Sequence, residues 1–191
     1  MAMWDNSTLS KMERLRFENI IDMGLAYSTM LRVFVEGSKK ELADRLIGMT
    51  VEKIFNAGSK DEFDKAHADF CNWGICTIRQ AKGGALASYG QIVKTLDVTL
   101  KVAVYYSYLP SCDQSKKLCE WLNSAVDTNM MYELRKKHPN AIKPWPTTVK
   151  EVDKNAYLKL QQLVRQEITT EYDDAITPPQ YDDDKWREAN Q

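Results

Sequence analysis

The stretch Tyr89 to Leu109, YGQIVKTLDVTLKVAVYYSYL, reads as a long helix that is aliphatic around much of its circumference, yet it carries Lys94, Asp97 and Lys101 at i, i+3 and i+7. Residues at these spacings share a helical face. Either the three form the one wet stripe of the helix, or Lys94 is an amine aimed into a cleft and needs an acidic partner from elsewhere in the chain. Asp127 is the candidate partner. It follows Lys94 by 33 residues and stands where a helix opens before Met130, Met131 and Leu134. An aspartate there is a preferred N-cap, stabilising the helix by about 1 kcal/mol, and the helix dipole favours its charge. The same placement fixes the direction of a catalytic carboxylate.

Other side chains offer less. The pairs Cys71/Cys76 and Cys112/Cys119 lack the C-x2-C spacing of a zinc site, and His67 with Cys71 at i+4 supplies two ligands only, so no metal and no other cofactor is expected. The four cysteines read as free thiols, small and buried by default. Ser88 is placed to cap the long helix, and unpaired amides over Ser88, Tyr89, Gly90 and Gln91 would suit a phosphate. Trp73, Tyr105, Trp121 and Trp145 are candidates to line an aromatic pocket, although aromatics more often fill cores. The basic cluster Arg135–His138 lies in the last turn of its helix, where cations complement the dipole without any ligand. There is no nucleophilic triad in local sequence, no P-loop and no dinucleotide-binding fingerprint.

These residues need a scaffold, and the pattern predicts an all-α one. The chain has 191 residues, 43% hydrophobic and 28% charged, enough for one core and a compact multi-helix domain over residues 1–176, arranged as a single lobe or as two lobes with a helical hairpin between them. Ser7 or Ser10 opens a first helix through Gly37, with Leu15, Ile20, Met23, Tyr27, Met30, Leu31 and Phe34 as its apolar stripe. Ser38 opens a second segment ending at Gly58, and Ser59 a third, striped by Phe63, His67, Phe70, Trp73 and Thr77. The Gly83-Gly84 break makes a hairpin between that helix and the long one. Residues 177–191 hold a dense run of acids after a Pro-Pro pair and read as an irregular acidic tail, dispensable for folding, with Tyr181 and Trp186 as points where a protein partner would dock.

The net charge of −1 argues against non-specific coating of nucleic acid, without excluding a local basic face. Lys94, Asp97 and Lys101 make the long helix a poor membrane span, and the N-terminus lacks the layout of a signal peptide, so a cytoplasmic protein without membrane contact is expected.

Lys94 within QIVKTLDVTLKVAVYY, followed by a valine-aspartate opening a helix in AVDTNMMYELRKK, resembles the catalytic region of helix-hairpin-helix DNA glycosylases with lyase activity. Within that group the likeness is to archaeal 8-oxoguanine glycosylases of the AGOG type. Val93 stands where the pattern has glutamine, Ala125 where it has proline, and ALASYGQ lacks the Gly-x-Gly hairpin. The resemblance implies a DNA partner with a flipped damaged base, Lys94 as the Schiff-base lysine and Asp127 as the aspartate assisting glycosidic cleavage. Ser88, Tyr89, Gly90, Gln91, Trp121 and Trp145 would then contact the substrate. The alternative from a different class is a non-catalytic helical protein that keeps the scaffold for binding.

Overall fold

The structure, a computed structural model, describes residues 4–189, and among these it is all-α. The only strand-like pairings there are two isolated antiparallel bridges, Phe34 with Gln80 and Arg79 with Leu86. Helix α1 (Lys11–Tyr27) opens on a reciprocal capping box, Ser10 Oγ accepting from Glu13 N and Glu13 Oε2 accepting from Ser10 N at 2.9 Å. After a 3-10 turn at Met30–Val33, α2 (Ser38–Arg45) runs through a wide π turn at Leu46–Thr50 into α3 (Val51–Phe55). Ser59 caps α4 (Lys60–Thr77). The chain then extends, turns at Gly83 and Gly84, whose φ values of 81° and 64° suit glycine, and enters α5 (Tyr89–Leu100). That helix continues as a π turn through Lys101–Tyr106. Four further helices follow: α6 (Cys112–Trp121), α7 (Thr128–Lys137), α8 (Lys154–Tyr172) and α9 (Pro178–Ala189).

Helix α5 is the axle of the molecule. It packs on α1, α4 and α8, and one buried apolar cluster reaches from Phe17 of α1 to Tyr181 of α9. The buried face of α1 is Phe17, Ile20, Ile21, Gly24 and Leu25, while Leu15, Met23 and Tyr27 of the expected stripe are exposed. Both sets recur at helical spacing, so periodicity alone does not choose between adjacent stripes. Gly24 chooses: a Cβ there would lie 2.6 Å from Thr99 Cα, so the α1 backbone presses directly on α5. Gly24→Ala should therefore lower stability despite alanine's better helix propensity. A gain of about 1 kcal/mol in propensity is set against about 1–3 kcal/mol of overpacking against backbone that cannot swing away. A urea-unfolding midpoint equal to or above that of the parent would refute this account of the contact.

The expected irregular tail is corrected by the structure. Residues Pro178–Ala189 form α9, which packs on α6, α7 and α8. Its N-terminus carries its own cap, with Thr177 N donating to Gln180 Oε1 at 2.8 Å. Proline is tolerated in a first helical turn because the amides there have no intrahelical acceptor. Tyr181, offered above as a docking point, is instead 2% exposed in the core.

Candidate functional site

The start of α5 is occupied by its own structure. Ser88 Oγ accepts from Gln91 N, Gln91 Oε1 accepts from Ser88 N at 2.9 Å, and Gly90 N donates to Val152 O at 2.9 Å. Gly90 lies against Val149 and Val152 so closely that a side chain would strike them. The amides expected to cradle a phosphate are thus largely taken by the cap and by the chain before α8. Tyr89 lines a cavity beside α4 and α8.

Lys94 is partly buried, and its side-chain amine has no hydrogen bond or ion pair among the described residues. Asp127 caps α7, its Oδ1 accepting from Met130 N at 2.9 Å. Lys185 of α9 lines the same space as Asp127, while Lys101 at the end of α5 is held between Asp182 at 2.5 Å and Asp183 at 2.6 Å. Lys101 follows Lys94 by seven residues, which a helical rise of about 1.5 Å per residue turns into roughly 10 Å along α5. Asp182 and Asp127 are close enough for their charges to interact. Burial pushes the Asp182 carboxyl up to about 6, Lys101 pulls it down, and Asp127 and Asp183 oppose its charge. Side chains of α9, Asp182, Lys185 and Trp186, leave a space of only about 10 Å³ beside Asp127.

The aromatic candidates are dispersed. Trp145 is 9% exposed, and its Nε1 donates to Pro139 O at 3.1 Å, anchoring the segment before α8. Trp121 is half-buried, 6.3 Å from the Phe63 ring, with the Lys117 amine 4.7 Å from its centroid. The basic cluster at the end of α7 is partly spent on α8: Lys137 meets Glu167 at 2.6 Å and also pairs with Glu171, and His138 Nε2 meets Glu167 Oε1 at 2.6 Å.

Of the two readings of Lys94, Asp97 and Lys101, the wet stripe is excluded, because Asp97 is 2% exposed and Lys101 is 9% exposed. Asp97 is the centre of a buried network. Its Oδ1 meets His67 Nε2 of α4 at 2.8 Å, and its Oδ2 accepts from Tyr157 Oη of α8 at 2.8 Å. Cys71 lies one turn from His67 on α4, close enough to His67 and Tyr89 to act on their titration. Burial disfavours an imidazolium, but Cys71 and Asp97 outweigh it and push His67 up to about 10. Burial, reinforced by Asp97, holds the Tyr157 phenol protonated, and burial with Cys71 and Asp97 does the same for Tyr89. The rings are ordered as well: His67 stacks on Tyr157 at 6.1 Å and on Phe63 at 6.2 Å.

His67, Tyr89 and Tyr157 form part of the wall of a cavity of about 410 Å³, whose other lining includes Lys60, Lys154 and Arg165. Sequence reasoning set His67 and Cys71 aside as an incomplete metal pair. The signal that should have linked them to α5 is Asp97 itself, a carboxylate among aliphatic neighbours, which burial makes costly unless it is paired. Among the described residues no three His, Cys, Asp or Glu side chains converge as metal ligands, and no helix is long and apolar enough to cross a membrane. The chain matches no family model, no curated protein and no solved structure.

Proposed function

We propose that the protein acts on damaged DNA as a glycosylase and abasic-site lyase, with Lys94 as the Schiff-base amine and Asp127 as the carboxylate that assists loss of the base. The observation carrying this reading is the state of Lys94. A lysine that forms an imine must present its amine to the sugar rather than to a carboxylate. Lys94 is partly buried with no ion pair among the described residues, whereas Lys101 on the same helix is held by two carboxylates. The order of the elements supports the reading too, since a glycine turn leads into the lysine helix and the aspartate caps a later helix. In the reaction the Lys94 amine displaces the base at C1′ of the deoxyribose, the C1′–O4′ bond then opens with O4′ taking the amine's proton, and the resulting imine links protein to DNA.

Borohydride reduces such an imine to a stable adduct. Duplex DNA containing 8-oxoguanine or an abasic site should give a trapped complex with the parent protein and none with Lys94→Gln. Asp127→Asn should slow base removal while keeping α7 capped, because asparagine caps nearly as well as aspartate. Absence of an adduct with the parent protein sinks the lyase reading.

The narrow space beside Asp127 favours a second reading, a helical binding protein without catalysis. Salt-sensitive binding of the same duplex without trapping is the result that would select it.

A further inference from the structure

The cavity beside Tyr89 shares no residue with Lys94 and Asp127, and it lies between α4 and α8, both of which pack on α5. We propose that this cleft binds a small molecule with a carboxylate at each end and an apolar body between them, of the class of α,ω-dicarboxylates. Helix α8 lines the cleft with Lys154, Leu158 and Arg165, which share one face of the helix, and α4 lines it with Lys60, Asp64 and Ala68.

The charges on this wall are unbalanced. Asp64 is the one carboxylate lining the cavity, and Lys60 holds it at 2.5 Å. Arg165 donates to backbone carbonyls rather than to a carboxylate, from Nη1 to Glu120 O at 3.3 Å and from Nη2 to Leu122 O at 3.1 Å. Those bonds orient its guanidinium without neutralising it. Asp64 also attracts Arg165, so that end of the cleft sets two cations against one acid. The Lys154 amine has no hydrogen bond or ion pair among the described residues.

Lys154 and Arg165 are too far apart to share one ligand group. Eleven residues of α8 separate them, roughly 16 Å along the helix axis. Side chains on a helix lean the same way, toward its N-terminus, so the two charged heads keep about that separation. A charge-assisted contact of about 2.8 Å at each end leaves roughly 11 Å for the ligand. An extended chain advances about 1.2 Å per bond, so about nine bonds span the gap from one outer oxygen to the other, which is a dicarboxylate of about eight carbons.

The middle of the cleft favours carbon over further polar atoms. Its deepest polar groups are spent on the protein: His67 Nε2 and Tyr157 Oη on Asp97, and the Gln161 amide on both the N–H and the carbonyl of Ser124. Beside them stand Ala68, Tyr89 and Leu158, the last 54% exposed. A methylene chain laid along Leu158 takes that surface out of water. The cavity, about 410 Å³, falls within the range of small-molecule sites.

The test is equilibrium dialysis of the full chain against radiolabelled suberate, the eight-carbon dicarboxylate, with octanoate, succinate and inorganic phosphate as competitors. Suberate should be retained. Octanoate lacks the second charge and succinate the length, so each should compete about tenfold less well than unlabelled suberate, the loss of one charged contact. Lys154→Gln should weaken suberate binding by about the same factor at an unchanged melting temperature, because Lys154 is exposed and bonds nothing in the protein. Leu158→Asp sets a carboxylate against the methylene chain and should abolish binding. No retention of suberate by the parent protein overturns the site. Succinate or phosphate competing as well as suberate overturns the two-ended ligand, and retention unchanged by Lys154→Gln and by Leu158→Asp overturns its place in this cleft.

Discussion

Replacing Asp97 by alanine is expected to cost about 3–5 kcal/mol of stability, the range for removing one partner of a buried ion pair. The reason is the double occupancy of the carboxylate. His67 and Tyr157 are both almost wholly buried, and each directs a polar atom at Asp97 from 2.8 Å. Alanine strands an imidazole and a phenol in the helical core without their partner. Urea unfolding should show the loss as a lower midpoint at unchanged slope, and a loss under 1 kcal/mol would mean that the network is not closed in solution.

The same cluster sets a pH dependence. The folded pKa of His67, about 10, lies above its ordinary value of 6.5. The folded state therefore binds the proton more tightly than the unfolded chain. Its contribution is fully present below about pH 6.5 and is lost as pH rises toward about 10, at no more than about 1.4 kcal/mol per pH unit for one proton. His67→Gln should flatten that slope. A parent protein equally stable at pH 6.5 and pH 10 would contradict a charged His67 in the core.

Ending the chain at Thr177 should unfold it. Removing α9 takes away Tyr181, 2% exposed, and both carboxylates of Lys101, which is itself 9% exposed. It also breaks the bond from Ser124 Oγ to Pro178 O at 2.7 Å. Loss of a buried aromatic costs about 3–5 kcal/mol, and an uncompensated buried cation costs about as much again. Together these match the whole stability of a typical domain, about 5–15 kcal/mol. Tyr181→Ala isolates the first contribution and should lower stability by about 3–5 kcal/mol with the chain still folded. A truncated chain that remains soluble and melts with the parent would show that α9 is an ornament on a self-sufficient core.

Reading residues 177–191 as a tail failed for an identifiable reason. The region has one deeply buried aromatic, Tyr181, rather than an apolar stripe, and its acids look repulsive in isolation. Their partners lie elsewhere: Lys101 for Asp182 and Asp183, Tyr106 for Asp183 at 2.6 Å, and Tyr172 for Asp184. A local signal was present in Thr177-Pro-Pro-Gln180, where threonine and glutamine stand at capping-box spacing around a first-turn proline.

What the sequence determined by itself is the all-α class and several helix starts. Ser10, Ser59, Ser88 and Asp127 each accept a hydrogen bond from an amide three residues ahead, an interaction closed within one turn and hence legible from neighbouring letters. What the tertiary structure decided is which charges are buried and with whom. His67 and Asp97 are separated by 30 residues, Asp97 and Tyr157 by 60, and Lys101 and Asp182 by 81. The spacing of Lys94, Asp97 and Lys101 places them on one helical face in either case. Whether that face meets water or the side chains of α4, α8 and α9 depends on how distant helices pack, because desolvation belongs to the assembled surroundings of a group and not to its neighbours in the chain.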